Sequence, residues 1–462
     1  MLPDPNIIHD VEIDVSTEHH AGTFWYHPHK HGAVSFSFFG GMMGFRIVDG
    51  GPRDLNEVPE IAAAKEILMA ISVIRTDANG EVPFVNQDAE QANSDMGATN
   101  GLWSTFLDSN LYYLTNGVTN PTLKMRPSEV QRWRILDGAS GETFPIALEG
   151  HSLHILANDG INQSEMISLN VEEAYVMGSG NRVDLLVKAG EPGTYKLQVL
   201  DPAEGTYSVT PQGIAPGTRR ARIGRDFPQP TYPVTVATIV VEGSEKNMDL
   251  PDGPLPKNSG LPSKEEMLNA PLDAERNMAF ETCGMGGRQS MPLNRLPSCG
   301  WYFELYDAEY WGGTPFNSIL MARDADDTGI QNPVDDPFMP RIDYQKQGLF
   351  TRNEPLFNEM FGGNFEEWTL INRTNSDHPF HIHVNPFLIT HINGQALPEP
   401  EWRDSILVPA ATGGDGNIND AIFGTVTFRP YLNPLFPGSF VFHCHILTHE
   451  DVGMMQEIEI LP

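Results

Sequence analysis

The sequence predicts an all-β protein built from several β-sandwich domains. Short alternating or β-branched segments recur between turns, while long stretches of helical periodicity are scarce. Gly and Pro, which favour turns, number 43 and 37 among 462 residues. This length exceeds one ordinary domain, so about two to three domains are expected.

The first domain is expected to be incomplete and to cover residues 1–58. Its strand candidates lie at 11–15, 23–26 and 44–48. A sandwich needs about seven strands and roughly 100 residues, so this stretch supplies only the C-terminal part of one. An incomplete sandwich leaves an unpaired strand edge, which favours an oligomer or a second chain that completes the domain.

A fuller all-β pattern covers residues 59–245, the predicted second domain. Cysteine is absent from it, and its only histidines are His151 and His154. We therefore expect a domain without metal ligands of its own. Its strand candidates include 68–74, 129–136, 183–187, 195–200 and 234–241.

The third domain is expected at residues 246–462. Residues 250–345 are rich in Pro, Gly, Asp and Met and are weakly patterned, so we interpret them as a linker and a long excursion. Alternating strand patterns return at 367–371, 424–428 and 439–442.

Acidic residues dominate the charge: 61 Asp and Glu face 29 Lys and Arg, for a net charge of −32. Such a surface repels nucleic acid and anionic lipid, so neither is expected as a partner. No segment approaches the ~20 apolar residues of a membrane helix. Two interpretations of this charge remain open. It could serve solubility or salt adaptation, or it could attract cationic substrates, including metal ions.

Two of the three cysteines, Cys283 and Cys299, stand 16 positions apart in a stretch rich in Gly and Pro. They could form a disulfide worth about 3 kcal/mol by loop entropy, or stay reduced in a reducing compartment. The N-terminus lacks the basic stretch and apolar core of a secretion signal.

Nine of the 15 histidines fall into three clusters, at 27–31, 378–383 and 443–449. Strand side chains alternate between faces, so His443 and His445 are expected on one face and Cys444 on the other. His449 and Met454 follow the cysteine. One thiolate, two histidines and a weak axial methionine are typical of a blue-copper electron-transfer site.

The second histidine of that site is expected to be His378. Pro379 is expected to break the strand alternation, which frees His378 from the face of His381 and His383. On the opposite face, six imidazoles are expected to converge without any carboxylate. An electron would leave through the Cys444 sulfur and cross one peptide, a path on the order of 10 Å. The six are His27, His29, His381, His383, His443 and His445.

Residues 17–50 and 366–460, which carry these motifs, resemble bacterial three-domain multicopper oxidases such as spore-coat laccases, bilirubin oxidases and cuprous oxidases. The resemblance implies three cupredoxin-like Greek-key sandwiches, the first one incomplete here. It implies up to about four copper ions, as type 1, type 2 and binuclear type 3 centres. It also implies one-electron oxidation of phenolic, aromatic amine or metal-ion donors, coupled to reduction of O2 to water.

The resemblance assigns a role to each candidate residue. Glu450 matches an acidic residue that feeds protons to the oxygen site, and donors would be oxidised at an exposed edge of His449. The type 1 copper would be held by His378, Cys444, His449 and Met454. The type 2 copper would be held by His381, and the type 3 pair by His27, His29, His383, His443 and His445.

One departure from the family bears on function. Relatives carry a further His-x-His motif upstream, whereas only His9, His19 and His20 precede the first cluster here, without that spacing. The sequence is therefore interpreted as an incomplete record or a natural truncation. In the second case the protein could be a copper-binding or electron-transfer protein without oxidase activity.

Four other histidines are not expected to bind metal: His31, interpreted as supporting the site, and His151, His154 and His391. The family and the possible disulfide imply a secreted or periplasmic location.

Overall fold

The structure, a computed structural model of the chain, describes most of the residues that carry these motifs. His9, His31, Cys283, Cys299 and the strand candidate at 11–15 lie outside the described residues. The described ranges are 19–30, 34–50, 53–76, 110–202, 208–210, 230–258, 260–282, 301–307, 359–372, 377–410, 412–413, 421–451 and 454–462.

The all-β prediction is confirmed, because strands dominate the described ranges and the helices there are short. No helix among those residues is both long and apolar enough to cross a membrane. The helices are α1 (Val34–Phe39), α2 (Pro59–Ala62), α3 (Lys264–Asn269) and α4 (Leu447–Asp451), with a 3-10 turn at Leu55–Glu57.

The first region contributes a two-stranded antiparallel sheet. Strand β1 (Gly22–Tyr26) pairs with β2 (Gly44–Val48), and Thr23 lies opposite Ile47. Helix α1 lies between these strands in the chain and buries Val34 and Phe38 against Leu447 of α4. The strand and helix thereby place residues 27–30 beside the C-terminal helix.

The middle region is a complete sandwich of two sheets. One sheet has the order β4-β3-β6-β11-β8-β9, and the facing sheet has the order β13-β10-β7-β12-β14-β5. Its strands β3–β14 are, in chain order, Lys65–Thr76, Asn110–Thr115, Thr122–Met125, Val130–Asp137, Phe144–Leu148, Leu153–Asn158, Ile161–Leu169, Glu173–Met177, Arg182–Lys188, Gly193–Val199, Ser208–Thr210 and Val234–Val241.

The third region repeats this architecture. Its first sheet has the order β16-β15-β18-β25-β20-β21, and its second has the order β17-β27-β26-β19-β22. Its strands β15–β27 are, in chain order, Ala274–Thr282, Trp301–Asp307, Glu359–Phe361, Glu366–Asn372, His378–Ile382, Phe387–Ile392, Gln395–Arg403, Ser405–Val408, Thr412–Gly413, Ala421–Ile422, Gly424–Pro430, Gly438–Cys444 and Met455–Leu461.

The two sandwiches correspond strand for strand in their first sheets, and in their second sheets β13 of the middle region is the one described strand without a counterpart. In each first sheet, one parallel pair (β3 with β6, β15 with β18) stands among antiparallel neighbours. Each carries a fully buried tryptophan, Trp133 or Trp368. The indole N–H donates to the side chain two positions earlier, Gln131 at 3.2 Å or Glu366 at 2.8 Å.

The interpretation of residues 250–345 as a linker and an excursion is wrong for two segments. Strands β15 and β16 are integral members of the third region's first sheet, where β15 pairs with β18. Strand β15 is hard to recognise in the sequence because only Met278 and Phe280 mark its buried face. Arg276, in the same strand, is charged and forms an ion pair with Glu366 at 2.7 Å. The domain boundaries at 58/59 and 245/246 stay predictions.

Candidate metal centre

The site is organised by the end of strand β26. His443 and Cys444 are fully buried there. The antiparallel partner β19 places Phe380 opposite Cys444 and His381 opposite His443. Directly opposed residues share a face of the sheet, and successive residues alternate between faces. The thiol therefore projects from one side of the sheet and the His443 ring from the other.

On the thiol side, three donor groups converge. The Cys444 sulfur lies 3.3 Å from His378 Nδ1 and 3.7 Å from His449 Nδ1. All three side chains are buried, and their ligand atoms lie within 4.8 Å of one another. Met454 is also fully buried beside them, and its backbone N–H donates to the carbonyl of His449 at 2.9 Å.

Pro379 does not break the strand alternation, so that expectation is wrong. The pairing of β19 with β22 runs without interruption from His378 opposite Val408 to His381 opposite Ser405. His378 and His381 are three positions apart, so uninterrupted alternation already places them on opposite faces. The spacing within His-Pro-x-His-x-His is thus sufficient to divide its histidines between two sites.

On the other side, three imidazoles meet at their Nε2 atoms. His443 Nε2 lies 3.2 Å from His29 Nε2 and 3.3 Å from His383 Nε2. Neutral imidazoles of this kind suit copper, zinc and iron. These nitrogens form the second group, among the described residues, that could hold one metal ion.

Further imidazoles flank this triad. The His445 ring centroid lies 5.2 Å from that of His27 and 5.8 Å from that of His381. His27 follows directly after β1, and the Trp25 ring stacks on it at 4.4 Å. The structure therefore brings together imidazoles from all three clusters, and the first and third regions share the site.

Two acidic residues lie beside these imidazoles, outside the group of three converging nitrogens. Glu450 lies 3.2 Å from His443 Nδ1 and 3.5 Å from His29 Nδ1, and it is fully buried. The Asp404 carboxylate lies 3.8 Å from His381 Nδ1, and the Asp404 backbone carbonyl lies 2.8 Å from the same nitrogen. Both acidic residues face the Nδ1 side of the rings. The Nε2 side is left to the cluster.

Burial keeps the imidazoles neutral. Desolvation lowers the pKa of His378 to about 3, and desolvation together with the His29 ring lowers the pKa of His27 to about 3. Burial and neighbouring imidazoles hold the pKa of His443 well below its usual range. Burial also raises the pKa of the Cys444 thiol. A metal cation would supply the positive charge that stabilises the thiolate, so this donor set fits copper.

His449 is almost completely buried, with 5% of its surface exposed. The expectation of an exposed His449 edge is therefore wrong within the described part of the chain. The ring packs against His378 at a centroid distance of 5.2 Å. Phe280 of β15 stacks on the other histidine, His378, at 5.0 Å.

The remaining described histidines have other neighbours. His19 and His20 pack against Phe24 at 5.0 Å and 5.4 Å. Hydrogen bonds from ring Nδ1 hold His151 to the Glu149 carbonyl, His154 to Ser168 and His391 to Thr390.

Four residues at the site were missed by the sequence reasoning: Phe280, Ser179, Asp404 and Ser405. Phe280 and Met278 are apolar residues two positions apart, a period-2 pattern that could have marked the strand. Ser179 Oγ lies 3.1 Å from His445 Nδ1, and Ser405 Oγ lies 2.9 Å from His381 Nδ1. No local pattern marks Ser179, Asp404 or Ser405, because the fold alone brings them to the histidines.

Two family models match the chain, and both carry the description multicopper oxidase. One covers residues 79–213 and the other covers residues 322–462. The second contains two of the three histidine clusters.

Similar proteins support this match over part of their length. A laccase from Bacillus subtilis (strain 168) is 32% identical over 118 residues, which are 21% of this chain and 20% of the laccase. Multicopper oxidase LPR1 homolog 5 from Oryza sativa subsp. japonica is 25% identical over 319 residues, which are 58% of this chain and 46% of that protein. The chain thus spans less than half the length of these two relatives.

Solved structures share the fold. A Campylobacter jejuni multicopper oxidase, described as a metallo-oxidase, superposes with a TM-score of 0.57 at 21% identity, over 96% of this chain and 72% of that one. McoA from Aquifex aeolicus gives a TM-score of 0.59 at 17% identity, over 96% of this chain and 76% of that one. The arrangement of sandwiches is therefore the cupredoxin arrangement of these enzymes.

Proposed function

This chain belongs to the multicopper oxidase family, and from that premise we propose that it couples oxidation of an external electron donor to reduction of O2 to water. The single observation that carries the proposal is the end of strand β26. There the Cys444 side chain lies close to two histidines, His378 and His449. On the opposite face of the strand, His443 lies close to His29 and His383.

The proposed type 1 copper ligands are His378, Cys444, His449 and Met454. Supporting this, the sulfur lies 3.3 Å and 3.7 Å from the two imidazole nitrogens. The buried Met454 is joined by backbone hydrogen bonds to both Cys444 and His449, which supports it as a further, weak ligand when copper is bound. Burial excludes water from the sulfur.

The proposed cluster ligands divide into a triad and its neighbours. His29, His383 and His443 would hold one copper of the type 3 pair, since their ligand nitrogens lie within 4.8 Å of one another. His27 and His445 supply the other half, and His381 supplies the type 2 position. Copper, when bound, supplies one-electron redox chemistry at both sites.

Electron transfer between the sites is supported by the covalent path. From the Cys444 sulfur, one peptide step leads to His443 or His445. Strand rise and side-chain reach make this path on the order of 10 Å. His443 and His445 approach each other at a ring distance of 5.4 Å, so both can serve neighbouring metal positions.

We further propose that Glu450 supplies protons for the reduction of O2. Its carboxylate reaches the Nδ1 atoms of both His29 and His443, which belong to the same triad. A fully buried carboxyl group in this place can hold a proton next to the cluster without releasing it to bulk water.

The proposed donors are phenols, aromatic amines or metal ions. The net charge of −32 favours cationic donors and metal ions, because a negative surface raises their local concentration. His449 is buried, so the electron would enter through the residues that cover it. The family supports a location outside the cytoplasm.

Copper loading of the full chain tests the proposal. We expect an intensely blue protein that holds about four copper ions per chain and consumes O2 with a phenolic or metal-ion donor. A colourless copper-loaded protein would remove the type 1 assignment.

The second candidate function is copper binding and electron transfer without oxygen chemistry. The observation that favours it is that only two compact metal-binding groups occur among the described residues. A blue protein that holds about one copper ion per chain and consumes no O2 would establish this function instead.

A further inference from the structure

The turn between strands β10 and β11, residues 178–182, projects from the middle region into the metal centre. Its own hydrogen bonds close it: Gly178 N–H donates to Asn181 Oδ1 at 2.8 Å, and Asn181 N–H donates to the Gly178 carbonyl at 2.9 Å. Gly180 has a positive φ of 86°, and a Cβ built there would lie 2.9 Å from the His445 ring. The turn is thus in contact with a cluster histidine.

Ser179 fixes the orientation of His445. Its hydroxyl lies 2.5 Å from the Ala139 carbonyl, which can only accept, so the hydroxyl proton is used there. The Ser179 oxygen is then left to accept from His445 Nδ1 at 3.1 Å. This directs the His445 proton to Nδ1 and leaves the Nε2 lone pair for the cluster.

Arg182 acts on the second histidine through Asp404. Its guanidinium donates to both carboxylate oxygens of Asp404, at 2.8 Å and 2.7 Å, and to the Thr23 carbonyl of β1 at 3.2 Å. One buried side chain therefore joins the first, middle and third regions. Because Asp404 belongs to the chain segment that bonds His381, its position sets that of the histidine.

Ser405 completes this contact. Its hydroxyl donates to Asp404 Oδ1 at 2.9 Å, so its oxygen accepts from His381 Nδ1, also at 2.9 Å. Asn181 of the turn donates to the Ser405 carbonyl at 2.9 Å. His381 is thereby given the same arrangement as His445, with the proton at Nδ1 and the lone pair at Nε2.

We propose that the turn at residues 178–182 positions His445 and His381 for metal binding, with Ser179 and Arg182 as its positioning residues. The middle region would then contribute to the centre without a ligand of its own. The inference rests on the proposed function for its copper readout, but the hydrogen-bond geometry stands on its own.

The matched controls come from the same sandwich. Ser168 accepts or donates a comparable bond with His154 Nδ1 at 2.8 Å, away from the cluster. Arg132 makes a comparable buried two-point contact with Asp184, at 2.9 Å and 2.6 Å. The test variants are therefore Ser179→Ala and Arg182→Lys, and the controls are Ser168→Ala and Arg132→Lys.

The first readout uses the copper-free full chain with 15N-labelled histidine. We expect two slowly exchanging imidazole N–H signals to be assigned to His445 and His381. Ser179→Ala should remove the first and Arg182→Lys should broaden or remove the second, while both controls keep them. Retention of both signals in the two test variants would overturn the proposal.

The second readout is copper content and electron paramagnetic resonance of the loaded protein. Arg182→Lys should weaken binding of the non-blue paramagnetic copper by about 10- to 100-fold while the blue band is unchanged, and Ser179→Ala should deplete the coupled pair by a similar factor. Equal losses in test and control variants would overturn the positioning role. A wild-type protein without any non-blue copper would instead contradict the proposed oxidase, and the imidazole signals would still decide the inference.

Discussion

Apart from β13, the middle and third sandwiches share one strand order, yet they fill equivalent positions with different chemistry. In the middle region, β7 and β12 pair Ile146 with Val199, both buried, and Ala147 with Gln198. The equivalent strands β19 and β26 pair Phe380 with Cys444 and His381 with His443. The fold itself therefore does not specify a metal site. Function depends on a few side chains at the ends of two neighbouring strands.

The largest difference between the sandwiches should come from the thiol. Cys444→Ser should abolish the blue band and reduce oxidase activity to the detection limit, because serine does not replace the sulfur as a copper ligand or electron path. Absorption and O2 consumption are the measurements. His154→Gln in the middle sandwich is the control and should leave both unchanged. A blue Cys444→Ser protein would refute the type 1 assignment.

The next largest effect should come from Glu450. Glu450→Gln keeps the size of the side chain but removes its proton capacity, so turnover should fall by about 10²- to 10⁴-fold. The blue band should remain, since Glu450 contacts the imidazole side of the strand and not the sulfur. Stopped-flow reduction by the donor should stay fast while reoxidation by O2 slows. Unchanged reoxidation would exclude Glu450 as the proton source.

Lowering the pH of the copper-free protein should destabilise the third sandwich more than the middle sandwich. The pKa of His378 in the third sandwich is lowered by burial to about 3, whereas its ordinary value is 6.5, and burial holds the pKa of His443 and His445 well below that value. Between these values the unfolded chain binds protons that the folded chain does not. Stability is therefore present above pH 6.5 and falls as the pH decreases, by up to about 1.4 kcal/mol per pH unit for each histidine.

Hydrogen exchange at a series of pH values measures this effect. The third region should lose protection at higher pH than the middle region. Added copper should protect it, because bound metal competes with protons for the imidazoles. Equal acid sensitivity of the two sandwiches would contradict the expected imbalance.

The smallest difference should come from the paired tryptophans. Trp133→Phe leaves the buried Gln131 oxygen without its indole donor and should cost about 1–3 kcal/mol. Trp368→Phe should cost less, because Arg276 still donates to Glu366. Denaturant unfolding gives the stabilities and absorption gives the copper site. Only Trp368→Phe should shift the blue band, because Trp368 packs on Phe442 of β26 at 6.0 Å. A spectral shift in Trp133→Phe would indicate coupling between the sandwiches.

The sequence predicted the fold class and the three histidine clusters, because period-2 alternation and ligand spacing are local properties. It placed Cys444 and His443 on opposite faces for the same reason. The strand β15 was missed, since its buried face shows only two apolar residues, Met278 and Phe280. The burial of His449 and Glu450 was not predictable either, because helix α4 is covered by α1 from a distant part of the chain.

Contacts made by the middle region were also beyond sequence reasoning. Ser179 and His445 stand 266 positions apart, and Arg182 and Asp404 stand 222 apart. Such pairs leave no periodic signal in a single sequence. They depend on how the sandwiches pack.

Anomalous diffraction at the copper edge from crystals of the copper-loaded chain measures the arrangement most directly. We expect one copper ion between Cys444, His378 and His449, and a separate one between His29, His383 and His443, on opposite sides of strand β26. A map with no copper at the Cys444 sulfur, or with none between those three imidazoles, would contradict it.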